Sequence, residues 1–178
     1  MPYHNFILTN NDSACEAAAF RARSFGLTPM ILSTMFDGES RELGRTFAAM
    51  VREIRRRQRP LKPPCVLIGG GETVVTLRRN FGQGGPNQEF VAGAILSMEG
   101  EKDFAVVGLD TDGTDGPTGV AGAMADASTL DAARARGVDL QASLEDHAVL
   151  PAWTALNDII VTGQTGTNVN DLKFLILL

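Results

Sequence analysis

No stretch of this sequence stays apolar for the roughly 20 residues that a bilayer-spanning helix needs, and the terminal Phe174–Leu178 run is only long enough for a strand. A leader with basic, apolar and small-residue regions is also missing at the amino terminus, so the sequence reads as cytoplasmic, without a membrane partner. Cysteine is scarce: Cys15 and Cys65 are the two in 178 residues, too few for a disulfide framework, and both read as small buried hydrophobes. There is no Gly-Lys pair, which excludes a Walker A phosphate loop. A dinucleotide fingerprint begun at Gly69 requires glycine where Val74 stands, and one begun at Gly82 requires glycine at Asn87. No serine occupies a nucleophile-elbow context. His4 and His147 stand beside no partner motif and are read as incidental. A formal charge of −5 argues against a nucleic-acid surface. The one basic run (Arg52, Arg55, Arg56, Arg57, Arg59, Lys62) reads as a solvated helix end that complements the macrodipole.

What is present is globular. Apolar residues make up 44% and charged residues 21%, which excludes a disordered chain. Phe6–Leu8 reads as a first strand. Thr9, Asn10, Asn11 and Asp12 offer caps for a helix carrying Ala14, Ala17, Ala18, Ala22 and Phe25, stopped by Gly26. Pro29–Leu32 reads as a strand. A helix capped by Asp37 or Ser40 follows, with Leu43, Phe47, Met50 and Ile54 as its core stripe, ended by Pro60, Pro63 and Pro64. Cys65–Ile68 is a buried strand that breaks at three glycines, and Thr73–Leu77 resumes one. Pro86 opens a helix bearing Phe90, Ala94, Ile95 and Met98. Phe104–Leu109, Ile159–Val161 and Phe174–Leu178 read as strands, and Val120–Ala127, Leu130–Arg136, Leu140–Glu145 and Trp153–Leu156 as helical. Strands alternating with helices predict an α/β fold: one three-layer domain over 1–178, with a mixed, mostly parallel sheet flanked by helices. The strand–glycine–strand passage at 65–77 supplies an antiparallel neighbour.

The chemistry gathers in loops at strand ends. Gly69-Gly70-Gly71-Glu72-Thr73, Asp110-Thr111-Asp112-Gly113-Thr114-Asp115-Gly116 and the segment from Thr162 to Asp171 each combine glycine with small polar side chains. Ligands of open α/β sheets sit beyond the carboxyl ends of strands, so these loops are expected to converge around a small, polar, anionic molecule. The loop from Gly82 to Gln88 adds a helix amino terminus suited to an anion. Asp110, Asp112 and Asp115 read either as ligands of a hard cation such as Mg²⁺ or as an Asx-turn loop capping its own amides. Glu72 reads as a general base, a ligand for substrate hydroxyls or a loop lock. Asn87, Gln88 and Glu89 either bind ligand or simply favour the helix start.

In this order, Gly-Gly-Gly-Glu-Thr (69–73), Gly-Gln-Gly-Gly-Pro-Asn-Gln-Glu (82–89), Asp-Thr-Asp-Gly-Thr-Asp-Gly-Pro-Thr (110–118) and Thr-Gly-Gln-Thr-Gly-Thr-Asn-Val-Asn-Asp-Leu (162–172) resemble the MOFRL domain. That domain is the carboxy-terminal part of class II glycerate kinases, some of which carry the name hydroxypyruvate reductase. The resemblance implies ATP- and Mg²⁺-dependent phosphorylation of D-glycerate to 2-phosphoglycerate in a cleft between two α/β domains. The other domain, amino-terminal in the family, is absent here; it or a homo-oligomer is the expected partner. It assigns Glu72 and Asp112 catalytic roles and Asp110, Asp112 and Asp115 the metal. Gly70, Gly71, Thr73, Asn87, Gln88, Glu89, Thr165, Thr167, Asn168 and Asn170 are assigned to substrate or phosphate. Pro86 departs from the arginine common at that position in the family. The alternatives are an NAD(P)-dependent hydroxypyruvate reductase and a non-catalytic module binding small anions.

Overall fold

The structure, a computed structural model, describes residues 3–77 and 80–178. In chain order its elements are α1 (Asn11–Ser24), β1 (Thr28–Phe36), α2 (Ser40–Arg57), β2 (Cys65–Gly71), α3 (Pro86–Leu96), β3 (Phe104–Asp110), β4 (Gly122–Asp126), α4 (Thr129–Arg136), α5 (Leu140–Glu145), α6 (Val149–Leu156), β5 (Ile159–Ile160) and β6 (Asp171–Leu177). The strands form one mixed sheet in the order β1-β2-β6-β3-β4-β5. Helix α1 covers one face through Cys15, Ala19 and Ala22, packed on Val66, Ile68, Phe174 and Ile176. The other face meets α2 and α3, whose Phe47, Val51, Phe90 and Ile95 join Leu67, Val106, Leu175 and Trp153 in the main core. The α/β class and the three layers therefore stand.

The sheet is not mostly parallel. Only β1 and β2 run together; β2–β6, β6–β3, β3–β4 and β4–β5 are antiparallel. The cause is β6, which comes from the end of the chain and inserts between β2 and β3. Strand β2 also continues through all three glycines instead of breaking at them. Its antiparallel neighbour is thus β6 rather than Thr73–Leu77, where a single bridge from Val74 to Glu39 forms. The Thr76 amide there donates to the Glu39 carboxylate, not to a ladder partner.

Two further expectations fail for local reasons. Gly122–Asp126 is a strand, not a helix: Ala123 and Ala125 are buried while Met124 and Asp126 face out, the alternation of a sheet. Phe6–Leu8 forms no strand and lies exposed, because α1 starts immediately after it. Asn10 caps that helix, its Oδ1 accepting from the Ser13 amide at 2.9 Å. The α2 start differs as well. Glu39 is the cap residue but its side chain makes no capping bond to the helix amides, and the Ser40 hydroxyl is buried against Thr73.

Helices α2 and α3 cross at a contact that only glycine permits. A Cβ on Gly44 would stand 2.1 Å from the Phe90 carbonyl oxygen, and one on Gly93 2.3 Å from that of Arg41. The close crossing holds the amino end of α3 against the sheet edge where the loops gather. Part of the basic run proves structural: Arg52 donates to the Ser97 carbonyl (2.9 Å) and Arg55 to those of Leu178 (3.0 Å) and Asp103 (2.8 Å).

Candidate functional site

Strands β2 and β3 point the same way with β6 reversed between them, so Gly71, Asp171 and Asp110 lie side by side across the sheet. The carboxyl ends of β2 and β3 and the amino end of β6 make one edge. From it leave the Glu72–Thr73 segment, the loop after Asp110 and the loop before Asp171. The predicted convergence is present, and it has two tiers.

The outer tier is exposed or half-buried. Asn168 donates to Asp112 (3.2 Å) and accepts from the Asn170 amide (2.9 Å), and Asn170 donates to Glu72 (3.1 Å). Thr165 anchors this loop through its hydroxyl to the Thr111 carbonyl (2.6 Å) and through its amide to the Asp112 carbonyl (3.1 Å). Asp112, Thr114, Gln164, Gly166, Thr167 and Asn168 line an open cavity of about 370 Å³. Bonds from the Thr114 hydroxyl and amide hold the Asp112 carboxyl below its ordinary pKa, so it stays ionised. Asp110 is pushed up, first by burial and then by the negative charge of Asp112, Asp171 and Glu72, against a bond from the Asp112 amide.

The inner tier is buried. Asp115 turns away from Asp110 and Asp112 and sits on the amino end of α3. It accepts from the amides of Asn87 and Gln88 (2.9 Å each) and from their side chains (3.2 and 2.9 Å). That helix terminus is therefore filled by the protein's own carboxylate, and the external anion expected there finds it occupied. Burial pushes the Asp115 carboxyl up to about 6 while those four donors pull it down. Beside it Lys173 donates to Asp171 (2.8 Å) and Asn87 (3.2 Å), and Asp171 accepts from Asn87 (2.7 Å) and from the Thr73 amide (3.2 Å). Desolvation depresses the Lys173 pKa against the upward pull of Asp171. Glu89 is held by Arg41 (2.6 Å) and His147 (2.8 Å). Asn87, Gln88 and Glu89 are thus at most 1% exposed and lie beneath the loops, not in the open cavity.

The glycine triplet serves the protein more than a ligand. An ideal Cβ on Gly70 would fall 1.6 Å from Asn11 Oδ1. The Asn11 amide in turn donates to the carbonyls of Val169 (2.7 Å) and Asp171 (2.9 Å), fixing the start of α1 to the site edge. A cation fits the outer tier on a limited donor set. Among the described residues no group of three His, Cys, Asp or Glu side chains is spaced to hold a metal. Mg²⁺, however, commonly takes one or two carboxylates and completes its shell with water and phosphate. Asp110 and Asp112, two residues apart at the edge, offer that pair; Asp115 does not join them.

Sequence reasoning missed Asn11, Arg41, Asp171 and Lys173, and it read His147 as incidental although that ring is buried against Glu89. No alternation marked Lys173. In β6, Leu172, Phe174 and Ile176 pack on the α1 side, while Asp171 and Lys173 share the opposite buried face with Leu175 and Leu177. The charged pair thus stands in the phase that the sequence reads as outward.

These features describe an α/β fold with polar loops gathered beside an open cavity at one sheet edge. Its family is established by similarity: the MOFRL family profile matches residues 65–171, and the chain belongs to that family. The glycerate 2-kinase of Pyrococcus horikoshii is 39% identical over 174 residues, covering 98% of this chain and 39% of the relative. The D-glycerate 2-kinase of Thermotoga maritima is 40% identical over 166 residues, covering 93% of this chain and 40% of the relative. The crystal structure of a glycerate kinase from Thermotoga maritima superposes with a TM-score of 0.93 at 38% identity, over 97% of this chain and 42% of that one. The chain thus spans about two fifths of the length of these relatives. Among the described residues no helix is long and apolar enough to cross a membrane.

Proposed function

We propose that this chain is a single MOFRL domain contributing the substrate, phosphate and Mg²⁺ sites of a cytoplasmic D-glycerate 2-kinase, whose phosphoryl donor is ATP. The observation that carries the reading is the outer tier: an exposed relay from Glu72 through Asn170 and Asn168 to Asp112, beside an open cavity. Phosphoryl transfer is mostly positioning and charge stabilisation, which asks for fixed donors and a metal rather than a protein nucleophile. Asp110 and Asp112 would hold Mg²⁺, which neutralises charge on the phosphates when bound. Asn168, Asn170, Thr165 and Thr167 orient the hydroxy acid and the transferring group. Glu72, kept in place by Asn170, is the group within reach to accept the hydroxyl proton. Gly70, Gly71 and Thr73 set the edge from which Glu72 projects, and Asn87, Gln88 and Glu89 act from below by holding that edge.

The reductase reading fares worse. A dinucleotide turn needs glycines between a strand and a helix. Gly69–Gly71 belong to β2 itself, and the helix after Gly82–Gly85 already has Asp115 at its terminus. The test is turnover. The isolated chain should form no 2-phosphoglycerate from D-glycerate and MgATP above background. The same chain joined in one polypeptide to the part of the Thermotoga kinase that it does not match should form it. An inactive but folded chimera favours the anion-binding module instead.

A further inference from the structure

Among the described residues, three buried side-chain nitrogen or oxygen atoms have no hydrogen-bond partner. Two of them, Arg41 Nε and His147 Nε2, belong to one cluster with Glu89. Buried polar atoms are nearly always paired, so an orphan points to a partner that the chain itself does not supply. His147 is also held in the left-handed region (φ 51°), a conformation that costs a side chain energy and recurs at functional sites. The other ring nitrogen is committed. Nδ1 lies 2.8 Å from Glu89 Oε1 and 2.8 Å from Arg41 Nη2. Arg41 can only donate, and Glu89 Oε2 takes that donor at 2.6 Å. The Nδ1 proton therefore goes to Oε1, and the neutral ring keeps Nε2 as a free acceptor, the arrangement by which a carboxylate orients an imidazole.

The His147 ring forms part of the wall of a cavity of about 230 Å³ that shares no residue with the outer-tier cavity. The other walls are apolar: Val75 and Leu77 beyond β2, Phe81, Pro86 at the start of α3, and Pro117. Glycines lay the Phe81–Pro86 loop down on the start of α6. An ideal Cβ on Gly82 would stand 2.5 Å from that of Ala148, and one on Gly84 2.6 Å from Val149 Cγ2. Leu77 and Phe81 are 51% and 57% exposed, so an occupant would remove apolar surface from water. Among the described residues no cation lines the cavity, and the carboxylate of Glu89 does, which disfavours an anion. An apolar cavity of about 150 Å³ takes up benzene; this one has room for such a ring with a substituent. We propose that the cavity binds a planar aromatic group bearing a hydrogen-bond donor, its ring against Leu77, Phe81 and Pro86 and its O–H or N–H donating to His147 Nε2. This does not rest on the glycerate kinase reading.

Phenol and anisole, the second lacking the donor, test it in the isolated chain by nuclear magnetic resonance. Phenol should move the amides of residues 75–77 and 82–85 saturably and shift the Nε2 signal of His147. Anisole should bind about tenfold more weakly, as the loss of one hydrogen bond gives, and leave that nitrogen still. His147→Phe should bring phenol down to the affinity of anisole. That change also strips a partner from buried Glu89, so Phe81→Ala, at an exposed position, is the second variant: it should stay folded and weaken both ligands alike. Adenosine separates the sources of such a ring. Shifts at the same residues assign the cavity to the base of a nucleotide, and silence where phenol binds assigns it to a free aromatic alcohol or amine. No saturable shift at these residues in the folded chain, equal affinity for phenol and anisole, or an unmoved His147 nitrogen overturns the proposal.

Discussion

The two tiers of the sheet edge are built from the same residue types and behave in opposite ways. Asp115, Asp171, Asn87 and Lys173 are almost wholly buried, and each is held by two or more hydrogen bonds. Glu72, Asn170, Asn168 and Asp112 use similar groups linked to one another and to Thr114, but they are exposed or half-buried and keep other atoms toward solvent. A buried carboxylate or ammonium without its partners is costly, so the inner tier holds the strand ends at a fixed spacing. The outer tier can exchange its partners for a ligand's at little cost. Polarity in these loops marks two tasks, and burial separates them.

The strongest way to break this contrast is to remove one inner partner. Asp171→Ala strands the Lys173 ammonium in the core and should cost about 3–5 kcal/mol in chemical denaturation. A loss under 1 kcal/mol would place Lys173 in contact with water and erase the distinction between tiers.

A second test uses pH. Asp115 has its folded pKa raised to about 6 from an ordinary 3.8. Below pH 4 the group is protonated whether folded or unfolded, and no difference arises. Between about 4 and 6 the unfolded chain has lost a proton that the folded chain keeps, so the contribution of Asp115 to stability falls as pH rises, by roughly 3 kcal/mol in all. Asp115→Asn, compared with the parent from pH 4 to 7, should remove that fall. Parallel stability curves would contradict the burial assigned to Asp115.

Gly70→Ala is expected to act between the tiers. Its methyl group must displace the Asn11 amide, costing about 1–3 kcal/mol, measurable as a lowered denaturation midpoint. The smallest effect belongs to the outer tier. Asn168→Ala should change stability by no more than about 0.5 kcal/mol, and a larger loss would turn the relay into a structural one.

Much of this architecture was legible in the sequence. Hydrophobic periodicity located α2, α3, β2 and β3, and the loops at strand ends predicted the shared edge, because both signals are local. The insertion of β6 between β2 and β3 was not legible, since strand order depends on contacts between residues far apart in the chain, such as Gly71 with Asp171 and Asp110 with Asp171. The segment at 122–126 was misjudged because alanine and glycine carry little periodicity; Ala123 and Ala125 still alternate with Met124 and Asp126. Within the site, residue type could not distinguish Asp112 from Asp115, two residues of one motif, three positions apart, that fold toward solvent and helix respectively. His147 stood next to no motif because its partners, Glu89 and Arg41, come from distant helices.

The most direct measurement of the central claim is a map of amide shifts in the isolated chain on adding 2-phosphoglycerate with Mg²⁺. Shifts should concentrate at Thr111–Thr114, Gln164–Asn170 and Glu72, leave Asn87 and Lys173 nearly still, and shrink strongly in Asp112→Asn with the fold intact. Shifts centred on the buried tier, or binding unchanged in Asp112→Asn, would contradict the assignment of the outer tier as the ligand site.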